Sequence, residues 1–236
     1  MILIVCAMKL EAKPFLKALD NKRIKKHGEL RVYYGSITGL DVMVACCGVG
    51  MRRAAANIQS LIDSVGPSKI VMSGTAGGID AKLKIGDTVV SDELIYHERV
   101  ENLPIRDGLS IDGLPLKADA ALLDYASKAI KEKPPERPVY FGRISTGKSF
   151  ARGEAFDQII STCNPLCADM ESAAVAHVCQ INSVPFIAVR SMSDTREVSG
   201  LSNFFKYASL ASINSFIVVR ALLAALPEHR DSPASS

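Results

Sequence analysis

The sequence predicts an α/β fold in which a mixed sheet is covered by helices on both faces. Three observations lead there. Residues 2 to 8, ILIVCAM, are apolar without alternation, the mark of a strand buried on both sides. The β-rich runs LRVYYGSITG and LDVMVACCG meet at Gly39 as a hairpin, which no wholly parallel sheet contains. Through the second half of the chain, strand-like and helix-like segments alternate. At 236 residues one domain with one large core fits, spanning residues 1–226, and the polar stretch PEHRDSPASS reads as a disordered tail.

Taken in order, KLEAKPFLKAL shows helical spacing through Phe15, Leu16 and Leu19, with Pro14 placing the start of the regular helix near Lys13. After the hairpin, MRRAAANIQSLIDSV is an Ala-rich helix. SKIVMSGTAGG is a strand running into a glycine turn, and IGDTVVSDELIYH is a further strand. Residues 99 to 117 lack periodicity, carry Pro104, Gly108, Gly113 and Pro115, and read as a long loop. ADAALLDYASKAIKE (helix), VYFGRISTG (strand) and EAFDQIIST (short helix) follow. Ala168 to Val178 reads as a helix opening on Asp169, Met170 and Glu171; then come the strand VPFIAVRSMSD and a long last helix from Asn203 to Leu226.

Charge and cysteine content narrow the function. A net charge of +3, evenly spread, argues against nucleic acid or an anionic membrane as partner. Absent Trp and 6% aromatics argue against a stacking platform for single strands. Of the six cysteines, Cys6, Cys46 and Cys47 sit inside apolar runs, which points to a reduced, cytoplasmic chain. Cys163 and Cys167 lack a second ligand pair at zinc spacing, so no metal is expected. The N-terminal apolar run is too short for a signal peptide, and no stretch is judged long enough to cross a membrane.

Ligands of open α/β sheets sit beyond the carboxyl ends of strands. Glu11, the TAGG run, KSFARGE, Met170–Glu171 and Asp194 all fall there. Singly, each has a plain structural reading: Glu11 as a first-turn acid, Asp169 as a helix cap, Asp194 as a cap or solubilising loop residue. Their shared position suggests a site.

The segments CAMKLEAKPF, GVGMRRAAAN, SGTAGGI, IGDTVVSDELIYH, STGKSFARGE, DMESAAVAHV and VPFIAVRSMSD, in this order over roughly residues 1 to 225, resemble the nucleoside phosphorylase/nucleosidase superfamily. Within it they resemble the 5′-methylthioadenosine/S-adenosylhomocysteine nucleosidases. That resemblance implies a three-layer α/β/α sandwich, a homodimer, a small nucleoside as substrate and no cofactor. It implies Glu11 as general base on water and Asp194 as general acid at purine N7. It implies Met170 against sugar and base, and Glu171 accepting from ribose hydroxyls. Val49, Thr75, Ala76, Gly77 and Ala151 would approach the ligand, and Phe150 and Phe204 would stack on the base or line the ribose. Arg190 would contact the substrate region and orient Asp194, with a structural salt bridge as its alternative role. Asp169 stands where relatives often have Glu, and a cap remains its expected role.

Related phosphorylases carry an arginine just before the central glycines. Here that place holds Met72, and Arg52 and Arg53 read as helix-surface residues, so water is the expected nucleophile. An acid at 194 favours adenine over 6-oxopurines. A purine nucleoside phosphorylase, a futalosine-type nucleosidase and a non-enzymatic nucleoside-binding module are the rival readings. Arg106 and Asp107 in the 99–117 loop predict a more polar 5′ pocket than relatives have, and His97 is expected to be structural.

Overall fold

A computed structural model describes residues 1–97, 115–149 and 153–227. The first strand, β1 (Ile2–Cys6), leads into α1 (Lys9–Ala18), then β2 (Asp20–His27), β3 (Leu30–Ile37) and β4 (Leu40–Cys46). Next come α2 (Met51–Val65), β5 (Lys69–Gly78), β6 (Thr88–Tyr96), the two-residue β7 (Leu116–Lys117) and α3 (Ala120–Glu132). β8 (Val139–Thr146), α4 (Ala155–Cys163), β9 (Cys167–Asp169), α5 (Ser172–Ile181), β10 (Phe186–Thr195) and α6 (Leu201–Ala225) complete it.

Period-two alternation along β1 splits the core into two layers. Leu3 and Val5 pack with α2 and α5 (Ile58, Leu61, Val175), while Ile2, Ile4 and Cys6 pack with α1, α3 and α6 (Phe15, Leu122, Val219). The three-layer arrangement around a mixed sheet is therefore present. β1 lies between β4 and β5, parallel to both, and the β3–β4 hairpin turns at Gly39, whose φ of 83° suits glycine. On the other side β5, β10, β6, β8 and β9 pair successively until β9 returns to β5, so this half of the sheet closes on itself.

Several sequence expectations are corrected. α1 begins at Lys9, not Lys13, with Pro14 inside it; Glu11 secures the first turn by accepting the Met8 N–H at 3.0 Å. The charged run DNKRIKKH is an exposed edge strand, β2, where lysines are at home. TAGG is no turn: β5 continues through Gly78 because β9 and β10 pair with it on both sides. The 99–117 loop lies outside the described residues except for its last three, two of which form β7 on β6. An apolar segment of membrane-spanning length does exist, since α6 has 25 residues and an 18-residue stretch of it has a mean hydropathy of 1.7. Its apolarity reflects the core it fills through Ala208, Ala211, Val218, Val219 and Leu222.

Candidate active site

Glu11 sits on the first turn of α1 directly after β1, 2% exposed. One oxygen takes the Met8 N–H; the other, Oε1, accepts from the Thr75 backbone N–H at 2.8 Å and the Thr75 hydroxyl at 3.0 Å. The carboxylate thus bolts α1 to β5, a structural role for this first-turn acid.

Asp194 arrives from β10. The register of β10 against β5 shifts between Met192 and Asp194, a bulge that re-aims the side chain. Asp194 then pairs with Gly77, and a Cβ on Gly77 would stand 3.1 Å from Asp194 Oδ2. The Ser193 hydroxyl donates to Asp194 Oδ1 at 2.8 Å.

The third group differs from its sequence reading. Asp169 ends β9 and the helix begins at Ser172, so Met170 and Glu171 lie on the link and not in the helix. Asp169 Oδ1 accepts from the Thr146 hydroxyl at 2.6 Å and from the backbone N–H groups of Glu171 and Ser172 at 3.2 and 3.1 Å. This is helix-start capping, as expected, but its second oxygen accepts from the Ser172 hydroxyl and, at 2.7 Å, from Arg190 Nε. Glu171 accepts from the Gly50 N–H at 2.8 Å and pairs with Arg190 Nη2 at 3.3 Å. Burial pushes the Glu171 carboxyl up to about 7, against the pull of Arg190 and with a further push from Asp169.

Arg190 is fully buried, and it is committed to Asp169 and Glu171 rather than to Asp194. Four residues along a strand span roughly 13 Å, and the bulge intervenes, so the expected pairing with Asp194 does not form. Arg190 is not itself a lining residue, but its Nη1 lies beside Glu11, which is. Burial alone would lower its pKa, but Asp169, Glu171 and Glu11 outweigh that and raise it. Its Nη1 has no hydrogen-bond partner among the described residues. A Cβ at Gly74 would meet Nη1 at 2.3 Å and Glu11 Oε1 at 2.5 Å, so a glycine is what lets cation and carboxylate face each other there.

These groups surround one cavity of about 740 Å³, open mouth included. Glu11, Asp169, Glu171 and Asp194 line it with Thr75, Ala76, Gly77 and Met170, and so do Phe204 and, at the exposed mouth, Val49. Phe150 and Ala151 lie outside the described residues. His97 is not among the lining residues; its Nδ1 is 3.1 Å from the Ser145 hydroxyl. The sequence reading missed Met8, Ile79, Phe156 and Ser193 as lining residues. Ser193 adjoins Asp194 and could have been suspected, whereas Ile79 and Phe156 look like any core residue. No lysine or arginine lines the cavity, and no metal-ligating cluster occurs, among the described residues.

Residues 1–224 match the phosphorylase superfamily. The chain belongs to that superfamily. It is similar to a solved structure of a putative 5′-methylthioadenosine/S-adenosylhomocysteine nucleosidase from Borrelia burgdorferi B31 bound to adenine, at 31% identity and TM-score 0.85, covering 96% of this chain and 100% of that one. It is also similar to the nucleosidase of the same kind from Colwellia psychrerythraea 34H in complex with adenine, at 29% identity, TM-score 0.86 and 95% coverage of both chains. A third similar structure is the S-adenosylhomocysteine nucleosidase of Streptococcus pyogenes in complex with 5-methylthiotubericidin, at 26% identity, TM-score 0.85 and coverage of 96% and 97%. The superfamily fold thus extends over nearly the whole chain, and its glycine-bearing β5 is what the cavity is built on.

Proposed function

We propose that the protein hydrolyses the N-glycosidic bond of 5′-substituted adenosines such as 5′-methylthioadenosine and S-adenosylhomocysteine, releasing adenine and a ribose derivative. The observation that carries water over phosphate as the nucleophile is the charge of the cavity wall. Four carboxylates line it, and Arg190, not itself a lining residue, is already engaged by two of them. A phosphate beside C1′ would meet a field that repels it. Arg52 and Arg53 are exposed on α2, and Met72 is buried against Ser172 and Arg190.

In this reading Glu11 takes a proton from water as it attacks C1′, with its carboxylate aimed by Thr75. Arg190 Nη1, without a hydrogen-bond partner among the described residues and beside Glu11, orients the same water. Glu171 holds ribose hydroxyls while C1′ gains positive character. Asp194 gives its proton to N7 so that adenine leaves neutral, and the Ser193 hydroxyl steadies it. Met170 and Phe204 supply apolar contact to sugar and base. The residue roles rest on this geometry together with the sequence resemblance.

We read the chain as one domain over residues 1–226, acting as a cytoplasmic homodimer whose 99–117 loop helps close the partner's 5′ pocket. Six unpaired cysteines favour a reducing compartment. The reaction is tested by incubating the protein with 5′-methylthioadenosine, with and without phosphate, and following adenine. Adenine release independent of phosphate is expected; a phosphate requirement, or no release from any 5′-substituted adenosine, overturns the reading.

A further inference from the structure

Asp169 lines the cavity, yet its oxygens have no capacity left for a ligand. Five donors converge on them: the Thr146 and Ser172 hydroxyls, the Glu171 and Ser172 backbone N–H groups, and Arg190 Nε. A carboxylate offers about four lone-pair sites, so this one is saturated from within. What it holds is the buried guanidinium. A guanidinium is a rigid planar fork; with Nε on Asp169 and Nη2 on Glu171, the direction of Nη1 is fixed. Nη1 then stands beside Gly74, next to Glu11 Oε1, without a hydrogen-bond partner among the described residues. Left untethered, a buried cation so near a carboxylate would pair with it directly.

We propose that Asp169 is a positioning residue for the hydrolysis: it pins the Arg190 guanidinium so that Nη1 serves the attacking water and does not collapse onto Glu11. This rests on the proposed reaction and adds a role to a residue that the reaction itself does not use. Asparagine cannot replace it. In one orientation its amide donors oppose Arg190 Nε; in the other they oppose the backbone N–H groups of Glu171 and Ser172. The Ser172 hydroxyl, 3.0 Å from Arg190 Nε, shares the task.

The test couples two readouts. In ligand-free protein, a ¹H–¹⁵N spectrum of arginine Nε–H groups should show one resonance strongly protected from solvent exchange that vanishes in Arg190→Lys and loses its protection in Asp169→Asn. Unchanged protection in Asp169→Asn overturns the pinning, whether or not the protein turns over nucleosides. With 5′-methylthioadenosine, Asp169→Asn should lower kcat roughly a hundredfold, the scale of a misplacement of about 1 Å, while adenine affinity measured calorimetrically stays within about twofold. Placed in an Arg190→Gln background, the same change should cost little more, because residues acting through one another are not additive. Effects that multiply would show Asp169 acting independently and overturn the proposal. Should Asp169→Asn fail to fold, Ser172→Ala takes its place: a several-fold loss of kcat, again masked by Arg190→Gln, supports the proposal, and an unmasked loss or no loss refutes it. Wild-type protein that releases no adenine defeats the proposed reaction alone, since the spectrum still decides the pinning.

Discussion

The two carboxylate regions of the cavity are built in opposite ways. Around Arg190, Asp169 and Glu171 are tied to backbone N–H groups, hydroxyls and the guanidinium, on a strand end and a helix start that cannot shift independently. Asp194 instead sits on a bulge in β10, re-aimed by the register shift and steadied by the neighbouring Ser193 hydroxyl. A fixed orientation suits a group proposed to stabilise developing positive charge, since prepaid orientation is what makes electrostatic stabilisation effective. The contrast teaches that chemically similar acids are placed by different means, two by a hydrogen-bonded cluster around Arg190 and one by a shift of strand register.

The sharpest way to break the contrast is to remove the exchangeable proton. Asp194→Asn is expected to lower adenine release by about a hundredfold or more without unfolding the protein, because an amide cannot protonate the leaving purine. Retention of more than about a tenth of the activity would remove Asp194 from the acid's role. Glu11→Gln should lose turnover to a similar degree yet still bind a stable substrate analogue; loss of binding in step with activity would make Glu11 a binding residue.

Gly74→Ala tests the fixed region. The added Cβ would stand 2.3 Å from Arg190 Nη1 and 2.5 Å from Glu11 Oε1, and both are buried. We expect a loss of stability of about 1–3 kcal/mol, as for other overpacked sites, and at least a tenfold drop in kcat, of the order seen for misplaced groups. A variant with normal melting and normal kcat would mean that the two groups need not face each other.

A pH series sharpens the comparison further. The Glu171 carboxyl is raised from 4.5 to about 7, chiefly by burial. An acid whose folded pKa lies above its unfolded value holds its proton more tightly in the fold, so its contribution to stability falls as pH rises from about 4.5 to about 7. Binding of ribose by the carboxylate runs the other way, so kcat/KM should rise with pH through about 7. Denaturation curves and pH profiles for wild type and Glu171→Gln check both slopes, which the variant should lose; a wild-type profile flat across that range would exclude Glu171.

The smallest effect is expected at Gly77→Ala. Its Cβ would approach Asp194 Oδ2 to 3.1 Å, tight but not impossible. A side chain on a bulge can yield, so kcat should fall only several-fold with melting almost unchanged, in contrast to Gly74→Ala. Equal damage at the two glycines would erase the difference between the regions.

By itself the sequence determined the alternation of elements and the gathering of Glu11, Met170, Glu171 and Asp194 at strand ends. It did so because burial on both faces leaves continuous apolar runs, and because the parallel crossover places the ends of such runs on one rim. It did not reveal that TAGG is strand, that α1 runs through Pro14, or that β9 precedes α5. These depend on partners far away in the chain: β9 and β10 beside β5, and Glu11 reaching across to Thr75. The destination of Arg190 was the clearest case. Spacing along one strand suggested Asp194, but a side chain buried at 0% exposure goes where its charge is neutralised, and Asp169 and Glu171 meet it there only after the sheet has closed. Tertiary structure alone decided that pairing, because long-range contacts between charged groups are fixed by how elements pack and leave no periodic trace in the sequence.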